Sequence, residues 1–468
     1  MRILHISAEC YPVAKVGGLA DVVGALPKYL NNSGQQCSVI MPFYNVRFTQ
    51  NHQFETIYED TVFVAADNFH FKILKLGDLS KDFELFLVDI PQLLYKDYVY
   101  SHDDAQRFTA FQIAVLQWIQ THQHKPDVIH CHDHHTGLVP FMMQYCYRFE
   151  NLKNIPSVLT IHNAQYQGWF SHDRISMIPD FDKQHVGLLD WDGSINPLAT
   201  AIKCAWKVNT VSPSYMVELQ QKANGLEALL SHESAKCLGI LNGIDTTVWN
   251  PTTDAFLKKQ YSSSSHISGK KVNKKWLCDT YGLDFNKPLF VFIGRLVYEK
   301  GSDLFPQVFK EILQENDVSI LLLGSGDSDT ENKLIALRER FKGHFNAYIG
   351  YDEELSHLIY AGADFLLMPS RVEPCGLNQM YSLTYGTIPI VRSIGGLKDT
   401  IVDIDNDGYG FVHEDTSVDQ IKNAMQRAAA FHDNTLEFKK IRTRIMKIDH
   451  SWDNSAQQYI SLYNTLKN

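Results

Sequence analysis

The sequence lacks any apolar run that approaches the roughly 20 residues a membrane-spanning helix needs. It also has fewer positively charged residues than negatively charged ones. Its net charge is −10 and its isoelectric point is near 6.0, which argues against a general nucleic-acid or anionic-membrane binder. The eight cysteines have neither metal-site nor disulfide spacing, so we expect reduced thiols. Met1–Ser7 reads directly as a strand rather than a signal peptide, so we expect a cytoplasmic protein.

The bulk composition is that of a globular protein of several domains. The 468 residues are 44% hydrophobic and 21% charged, and a chain of this length exceeds a single core. Apolar strands alternate with helices, which predicts an α/β fold with doubly wound parallel sheets. The alternation starts afresh at Pro288, so we predict domains over 1–240 and 241–449. An amphipathic helix within 450–468 could pack back onto the first domain.

One strand-to-helix stretch in the second domain carries features of an anion site. The apolar run Asp364–Pro369 predicts a buried parallel strand. The stretch Ser370–Gly386 follows, and we predict that a helix opens at 375–377, where backbone N–H groups could approach a phosphate. Glu373 stands just before that helix. Open α/β sheets bind ligands at this edge, the carboxyl ends of their strands.

Two cations follow another strand of the same domain. Arg295 and Lys300 lie on the loop after strand Leu289–Ile293. Arginine can hold two oxygens at once and lysine acts as a point charge, so together they could neutralise a diphosphate. The alternative is two exposed loop cations without a ligand. Their position between an apolar strand and a helix favours the anion site.

The first domain has a glycine loop of its own. Lys15, Gly17 and Gly18 lie between the first strand and a helix predicted over Leu19–Leu30, which is again a phosphate-type arrangement. A tight loop with a surface lysine is the alternative. The dinucleotide-binding spacing is missing its third glycine, which disfavours a dehydrogenase.

Histidines gather where two further strands end. The strand Asp127–His132 places His130 and His132 on one face, and Asp133 follows it. This composition suggests a metal site, but no compact second ligand pair follows, so we expect none. The strand beginning at Ser157 ends in His162-Asn163. Two adjacent strands with polar ends predict a ligand site at the sheet edge.

Two loops are also predicted from composition. The serine-rich residues 262–265, together with 266–271, read as an exposed loop. Strands around 61–76 are predicted to turn through Asp67-Asn68 as an antiparallel pair.

Several of these motifs, taken together and in order, resemble those of the bacterial glycogen synthases and plant starch synthases. They are Lys15-Val-Gly-Gly-Leu19, His132-Asp133, His162-Asn163, Leu241-Asn-Gly243, Arg295 with Lys300-Gly301, and Glu373-Pro-Cys-Gly-Leu-Asn378. The resemblance covers essentially the whole chain. It implies the GT-B fold, two Rossmann-like domains facing across a cleft with the last helix returning to the first. It also implies transfer of glucose from ADP-glucose to the non-reducing 4-OH of an α-1,4-glucan such as glycogen, with retention of configuration and without metal or cofactor.

The resemblance assigns roles by position. It implies that Arg295 and Lys300 stabilise the leaving diphosphate and that Glu373 binds donor-sugar hydroxyls near the anomeric carbon. His162 is the fourth residue expected to take part in catalysis. The implied substrate-binding residues are Lys15, Gly17 and Gly18 at the diphosphate, Asp21, Asn163 and Asn242 at the sugar, Asp133 at the acceptor, Tyr351 at the base or ribose, and Cys375, Gly376 and Leu377 through backbone N–H groups.

The sequence departs from the family pattern at three positions. His134 stands where the family usually has tryptophan, and Val372 replaces an aromatic residue before Glu373. Tyr381 stands where broader retaining transferases carry a second glutamate, which favours the glycogen synthases. A retaining transferase with another acceptor would differ in the loop 165–186. A glucan-binding protein without catalysis is disfavoured because Arg295, Lys300 and Glu373 are all present.

Overall fold

The computed structural model describes residues 1–77 and 82–466 and divides into two compact units. The first unit comprises Met1–Asn242 with Trp452–Asn468, and the second comprises Gly243–Ser451. The sequence placed these boundaries at 240/241 and 449/450. The last two residues of the segment 450–468 lie outside the described residues. None of the helices within the described ranges is both long enough and apolar enough to cross a membrane.

In its described residues, the first unit is built on a nine-stranded sheet whose order is β11-β10-β7-β6-β1-β2-β5-β4-β3. All neighbours are parallel except β3–β4 and β4–β5, which are antiparallel. Its strands, with the small separate pair β8–β9, are β1 Arg2–Ile6, β2 Gln36–Pro42, β3 Phe54–Val64, β4 Asp67–Leu76, β5 Glu84–Asp89, β6 Val128–His132, β7 Ser157–Ile161, β8 Asp190–Trp191, β9 Ser194–Ile195, β10 Lys207–Thr210 and β11 Cys237–Gly239.

Helices cover the sheet of the first unit. The long helix Asp104–Thr121 has an almost continuous buried stretch from Arg107 to Ile119. The others are Gly18–Asn32, Arg47–Asn51, Val139–Tyr145, Val186–Leu189, Pro197–Cys204, Pro213–Leu219, Glu227–His232 and Trp452–Asn464.

The helix Trp452–Asn464 belongs to the first unit by its packing. Trp452, Tyr459 and Tyr463 share a buried cluster with Ile3 of β1 and Leu26 of the first helix. Two of its tyrosines also hydrogen bond to the sheet: the Tyr463 hydroxyl meets His130 Nδ1 at 2.7 Å, and Asn209 Nδ2 donates to the Tyr459 hydroxyl at 2.9 Å. The last helix therefore completes the core of the first unit.

The second unit has a six-stranded, wholly parallel sheet in its described residues, with the order β14-β13-β12-β15-β16-β17. Its strands are β12 Leu289–Ile293, β13 Ser319–Gly324, β14 Phe345–Ile349, β15 Phe365–Met368, β16 Ile388–Arg392 and β17 Phe411–His413, and its helices are His266–Tyr281, Phe305–Glu315, Ser328–Arg340, Glu353–Gly362, Asn378–Thr384, Gly395–Thr400, Val418–Asp433 and Thr435–Ile445. Strand β15 is buried along its whole length, as its apolar run predicted.

The prediction of an exposed loop through residue 271 was wrong. Helix His266–Tyr281 starts within it, and Lys270 is fully buried there. The Lys270 ammonium donates hydrogen bonds to the carbonyl oxygens of Tyr360 and Tyr385 and to Thr387 Oγ1, at 2.8–3.1 Å. Burial lowers the pKa of this lysine well below its usual value. The polar composition of this segment therefore gave no sign that one face of the helix is buried.

The hairpin turn also differs from its prediction. Strand β3 ends at Val64 and β4 already begins at Asp67, so the turn lies at Ala65-Ala66 rather than at Asp67-Asn68. Ala65 adopts a positive φ of 54° there. A two-residue turn between long strands requires such a φ, whichever residue occupies the position.

Candidate active site

In the second unit, two strand-end loops come together. The loop after β12 ends in the short turn Tyr298–Lys300, and the backbone N–H of Arg371 donates to the Glu299 carbonyl at 2.7 Å. Gly301 has a φ of +72°, and a Cβ on it would lie 2.7 Å from the Pro369 carbonyl oxygen. Only glycine therefore permits this close approach, which brings the turn beside the end of β15.

The approach of the two loops pairs Lys300 with Glu373. Lys300 Nζ lies 2.6 Å from Glu373 Oε2, and the Ser370 hydroxyl donates to the same oxygen at 2.8 Å. Glu373 is only 6% exposed. A buried carboxylate with a cation and a hydroxyl donor has its charge compensated, so this pair is a fixed ionic element at the sheet edge.

The backbone of the loop around Glu373 packs closely against Gly395 and Gly396. A Cβ on Gly396 would lie 2.1 Å from the Cys375 carbonyl oxygen, and one on Gly395 would lie 2.0 Å from that of Glu373. The helix begins at Asn378, with Leu377 as its N-cap, so the prediction that it opens at 375–377 was wrong. Those three residues form the preceding loop instead, where Gly376 takes a φ of +72°.

Two other predicted residues of the second unit are accessible. Arg295, on the β12 loop that carries Lys300, is exposed. Tyr351 follows β14 and is 79% exposed. Strand β14 lies two strands from β12 in the sheet, with β13 between them. Both residues thus follow the carboxyl ends of parallel strands and lie at the same edge of this sheet.

The glycine loop of the first unit is organised by a carboxylate. Glu9 Oε2 accepts hydrogen bonds from the backbone N–H groups of Val16 and Gly17, at 2.5 and 3.1 Å, and the Tyr100 hydroxyl donates to its other oxygen. Burial raises the pKa of Glu9. Lys15 Nζ lies 2.7 Å from Asp21 Oδ1. Two predicted donors, the Gly17 N–H and the Lys15 ammonium, are therefore already engaged.

Open space lies in front of the two glycines. A Cβ built on Gly17 or Gly18 would meet nothing within 4 Å, and helix Gly18–Asn32 starts here. Gly17 has a φ of −144°, which any residue adopts. Neither the backbone conformation nor internal packing therefore requires glycine at these positions, which leaves room for the close approach of a ligand.

Asp133 joins the ends of two neighbouring strands. Its Oδ1 accepts the backbone N–H groups of His162 and Asn163, at 2.7 and 3.4 Å. Burial raises its pKa to about 7. Its backbone takes a positive φ of 58°, which is uncommon for a non-glycine residue and typical of functional sites. Three predicted residues are therefore brought together at the edge formed by β6 and β7.

A line of histidines runs inward from this edge. His162 Nε2 lies 3.0 Å from His132 Nδ1, and His132 Nε2 lies 3.0 Å from His5 Nδ1. His130 stacks on His132 with ring centroids 4.4 Å apart, and it hydrogen bonds to Thr160 Oγ1 and Tyr463. Nitrogens of His5, His130 and His132 lie within 4.8 Å of one another. Because most of them already hydrogen bond, the arrangement favours a polar network over an ion.

Asn242 is the last predicted residue of the first unit, and the start of the predicted acceptor loop 165–186 lies over His134. Asn242 is 5% exposed, and its buried Oδ1 has no hydrogen-bond partner among the described residues. His134, which replaces the usual tryptophan, packs under the loop, where a Cβ on Gly168 would lie 2.4 Å from its ring. Tyr166 and Trp169 on that loop are 61% and 69% exposed.

Glu9, Ser370 and His5 are among the residues of these sites that have no counterpart in the sequence predictions. Glu9 and Ser370 each come just after a strand, so the strand-end rule that selected Asp133 would have found them. His5 lies inside β1, where only the β1–β6 register, His5 beside His130, reveals its neighbours.

Two family models match the chain. The starch synthase catalytic domain matches residues 2–232, and the glycosyl transferases group 1 model matches residues 279–440. Together they cover most of both units.

Curated relatives and solved structures match the chain over its full length. A glycogen synthase from Flavobacterium johnsoniae is 50% identical over 100% of this chain and 99% of its own, and one from Streptococcus pneumoniae is 36% identical over the whole of both. The catalytic domain of starch synthase IV from Arabidopsis thaliana, solved with ADP and acarbose, matches with a TM-score of 0.90, 32% identity and 99% coverage of both chains. A sucrose-phosphate synthase from Thermosynechococcus elongatus, 17% identical with a TM-score of 0.65, shares the fold.

Proposed function

The chain belongs to the family of glycogen synthases and starch synthases, and from this premise we propose that it transfers glucose from ADP-glucose to the non-reducing 4-OH end of an α-1,4-glucan. The anomeric configuration is retained, and the growing polymer is glycogen. The ion pair between Lys300 and Glu373 is the observation that carries this proposal for the site, because it places a cation and an acid at one sheet edge.

Charge development explains why cations stand here. Breaking the bond between glucose and diphosphate leaves negative charge on the departing phosphate and positive character on the sugar. Arg295 and Lys300 stabilise the negative charge on the departing phosphate. Positive groups aimed at developing charge typically contribute ~10²–10³ in rate each. Neither needs to move a proton for this, and with two such cations the reaction requires no metal or cofactor. Glu373 binds hydroxyls of the donor sugar beside them.

The loop after Glu373 binds through its backbone. Cys375, Gly376 and Leu377 present N–H groups to the sugar and phosphate. Gln379 supports this role, because its side-chain amide donates to the carbonyl oxygens of Cys375 and Gly376 and so fixes the orientation of these peptide groups. A loop held in this way loses little conformational freedom when it binds a ligand.

The first unit carries the other residues that we propose to bind substrate. Lys15, Gly17 and Gly18 contact the diphosphate, which the open space in front of both glycines supports. The donor sugar is contacted by Asp21, His162, Asn163 and Asn242. The buried Oδ1 of Asn242 has no hydrogen-bond partner among the described residues, which supports a hydrogen bond from a sugar hydroxyl. Asp133 stands on the acceptor side. Lys15 has three N–H donors and uses one on Asp21 Oδ1, so it can contact the phosphate while that contact is kept.

The nucleobase is proposed to be adenine. The Arabidopsis thaliana starch synthase structure holds ADP, which supports an adenine nucleotide for its relative here. The exposed ring of Tyr351 offers a flat apolar face for the base or a contact to the ribose.

We also propose that the enzyme works in the cytoplasm. All eight cysteines are free, and seven of them are buried. Unpaired thiols are typical of a reducing compartment, whereas a secreted chain with eight cysteines would more often pair them.

The test is incorporation of labelled glucose into glycogen from ADP-glucose and, in parallel, from UDP-glucose. We expect transfer that depends on ADP-glucose. Activity with UDP-glucose alone would keep the reaction and overturn the adenine assignment. Donor hydrolysis without elongation of glycogen would overturn the glucan acceptor and favour a retaining transferase that acts on another acceptor.

A further inference from the structure

Three histidines from three neighbouring strands of the first unit form one hydrogen-bonded row. His5 lies in β1, His132 ends β6, and His162 follows β7. The two contacts join Nδ1 of His5 to Nε2 of His132 and Nδ1 of His132 to Nε2 of His162, each at 3.0 Å. Each ring therefore uses opposite nitrogens for its two neighbours, and the row has a direction.

The ends of the row are the two nitrogens without partners. His5 Nε2 and His162 Nδ1 are both buried and have no hydrogen bond within the described residues. His5 is 0% exposed inside the core, whereas His162 is 8% exposed at the sheet edge. The end at His5 is therefore closed within the core, whereas the end at His162, although its Nδ1 is itself shielded from solvent, lies at the sheet edge where the proposed sugar site begins.

Burial keeps the three rings uncharged. It lowers the pKa of His5 and of His162 to about 3, and that of His132 well below its usual value. A neutral imidazole carries one N–H and one bare nitrogen. Each contact in the row needs one of each, so only two protonation patterns satisfy both contacts.

The two patterns differ in where the outermost N–H lies. If all three rings are protonated at Nδ1, His162 presents an N–H at the sheet edge and His5 leaves a bare nitrogen in the core. If all are protonated at Nε2, His5 buries an unpaired N–H in the core and His162 presents a bare nitrogen. An N–H orphaned in the core is the rarer and costlier outcome, whereas one at the edge can meet a ligand oxygen.

We propose that His5 and His132 are positioning residues that hold His162 as the Nδ1–H tautomer, so that it donates a hydrogen bond to a hydroxyl oxygen of the bound donor sugar. This inference rests on the proposed function for the identity of the sugar. The row does not conduct protons, because its closed end at His5 has no group to supply or accept one. It fixes which nitrogen of His162 is the donor.

The tautomer itself is measured first, without any substrate. The protein is labelled with ¹⁵N-histidine, the ring signals of His162 are identified by their loss in His162→Asn, and long-range ¹H–¹⁵N spectra report which nitrogen is protonated. We expect Nδ1 protonated and Nε2 bare. A spectrum with Nε2 protonated, or with the average of both tautomers, overturns the proposal. This reading stands even if the transfer assay fails.

Matched substitutions of His132 then test its role in the reaction. In His132→Asn the amide nitrogen replaces Nδ1 and can still donate to His162, whereas in His132→Gln it replaces Nε2 and leaves His162 without its donor. We expect the glutamine variant to lower kcat/KM for ADP-glucose by up to ~10-fold, since one hydrogen bond contributes about 0.5–1.5 kcal/mol. The asparagine variant should retain most of the activity.

The outcome separates positioning from a merely structural role. Equal loss in both variants, or a loss confined to thermal stability, overturns the proposal because both amides fill similar space in the core. If wild-type protein transfers no glucose to any acceptor, the proposed function fails, while the tautomer spectrum still decides the inference about the row.

Discussion

The two carboxylates at the sheet edges are equally buried but differ in their partners. Glu373 of the second unit is 6% exposed and Asp133 of the first is 7% exposed. Glu373 has the Lys300 ammonium at 2.6 Å, whereas Asp133 has backbone N–H donors and no cation partner among the described residues, and burial raises its pKa to about 7. Burial without a counter-charge favours the neutral form of a carboxylate such as Asp133.

The same contrast extends to the surrounding side chains. Around Asp133 stand neutral histidines, which suit the uncharged hydroxyls of a sugar or glucan. Glu373 is paired with Lys300, and Arg295 lies on the same loop as Lys300; these two cations suit a charged diphosphate. The two sheet edges thus differ in whether the buried carboxylate has a charged partner, and the predictions below test that difference.

The largest expected effect comes from removing the cation of the second unit. In Lys300→Ala we expect kcat to fall by ~10²–10³, because the leaving diphosphate loses one positive group. The measurement is glucose transfer from ADP-glucose at saturating glycogen. Lys310→Ala, which removes an exposed lysine of the same unit, is the matched control and should retain activity. A Lys300→Ala rate within about threefold of wild type would show that no charge develops near this residue.

The next effect concerns the carboxylate without a cation. The pKa of Asp133 is raised to about 7, against about 3.9 in an unfolded chain. Between these values the unfolded state releases a proton that the folded state keeps. The free energy of unfolding therefore falls as pH rises, by up to about 1.4 kcal/mol per pH unit. The stability that depends on protonated Asp133 is fully present only below about pH 4, where both the folded and the unfolded chain keep the proton.

Asp133→Asn removes this pH-dependent loss and keeps an oxygen that can accept the His162 N–H. We expect the melting temperature of the variant, relative to wild type, to rise steadily from pH 4 to pH 7. The measurement is thermal unfolding of both proteins across that range. Parallel curves would mean that Asp133 ionises in the folded chain as easily as in the unfolded one.

Sequence patterns identified the strand-end residues because the relevant rule is local. Strands β7 and β15 are short apolar runs and β6 ends in two histidines at alternate positions; the polar residues after these strands, Asp133, His162 and Glu373, needed only the edge rule of parallel sheets. The motif resemblance added the roles, and the full-length relatives confirmed the family and the fold.

What sequence patterns missed depends on contacts between distant residues. Lys270 sits in a stretch that reads as a loop, yet its ammonium meets three oxygens supplied by residues more than 85 positions away. His5 joins the histidine row through strand register. No local propensity encodes such pairings, because tertiary packing decides them.

Glycine substitutions provide a smaller test in both units. Gly18→Ala meets open space, so we expect unchanged stability and a fall of about tenfold in kcat/KM for ADP-glucose, because the methyl group obstructs the ligand. Gly396→Ala would place its Cβ 2.1 Å from the Cys375 carbonyl oxygen, so we expect a loss of about 1–3 kcal/mol in stability. Kinetics and chemical denaturation of both variants separate the two roles. Unchanged kinetics in Gly18→Ala would remove that glycine from the donor site.

The smallest effect is expected for the glucan acceptor in the first unit. Trp169 is 69% exposed on the loop above His134, and its indole offers an apolar face to the C–H side of a sugar ring. In Trp169→Ala we expect the half-saturating glycogen concentration to rise about threefold to tenfold, the equivalent of roughly 0.5–1.5 kcal/mol, with the KM for ADP-glucose unchanged. Trp206→Ala, at a tryptophan 41% exposed elsewhere in the unit, is the matched control. If both variants bind glycogen alike, exposure alone does not make a tryptophan an acceptor contact, and the uncharged edge of the first unit would bind glucan through its hydrogen bonds instead.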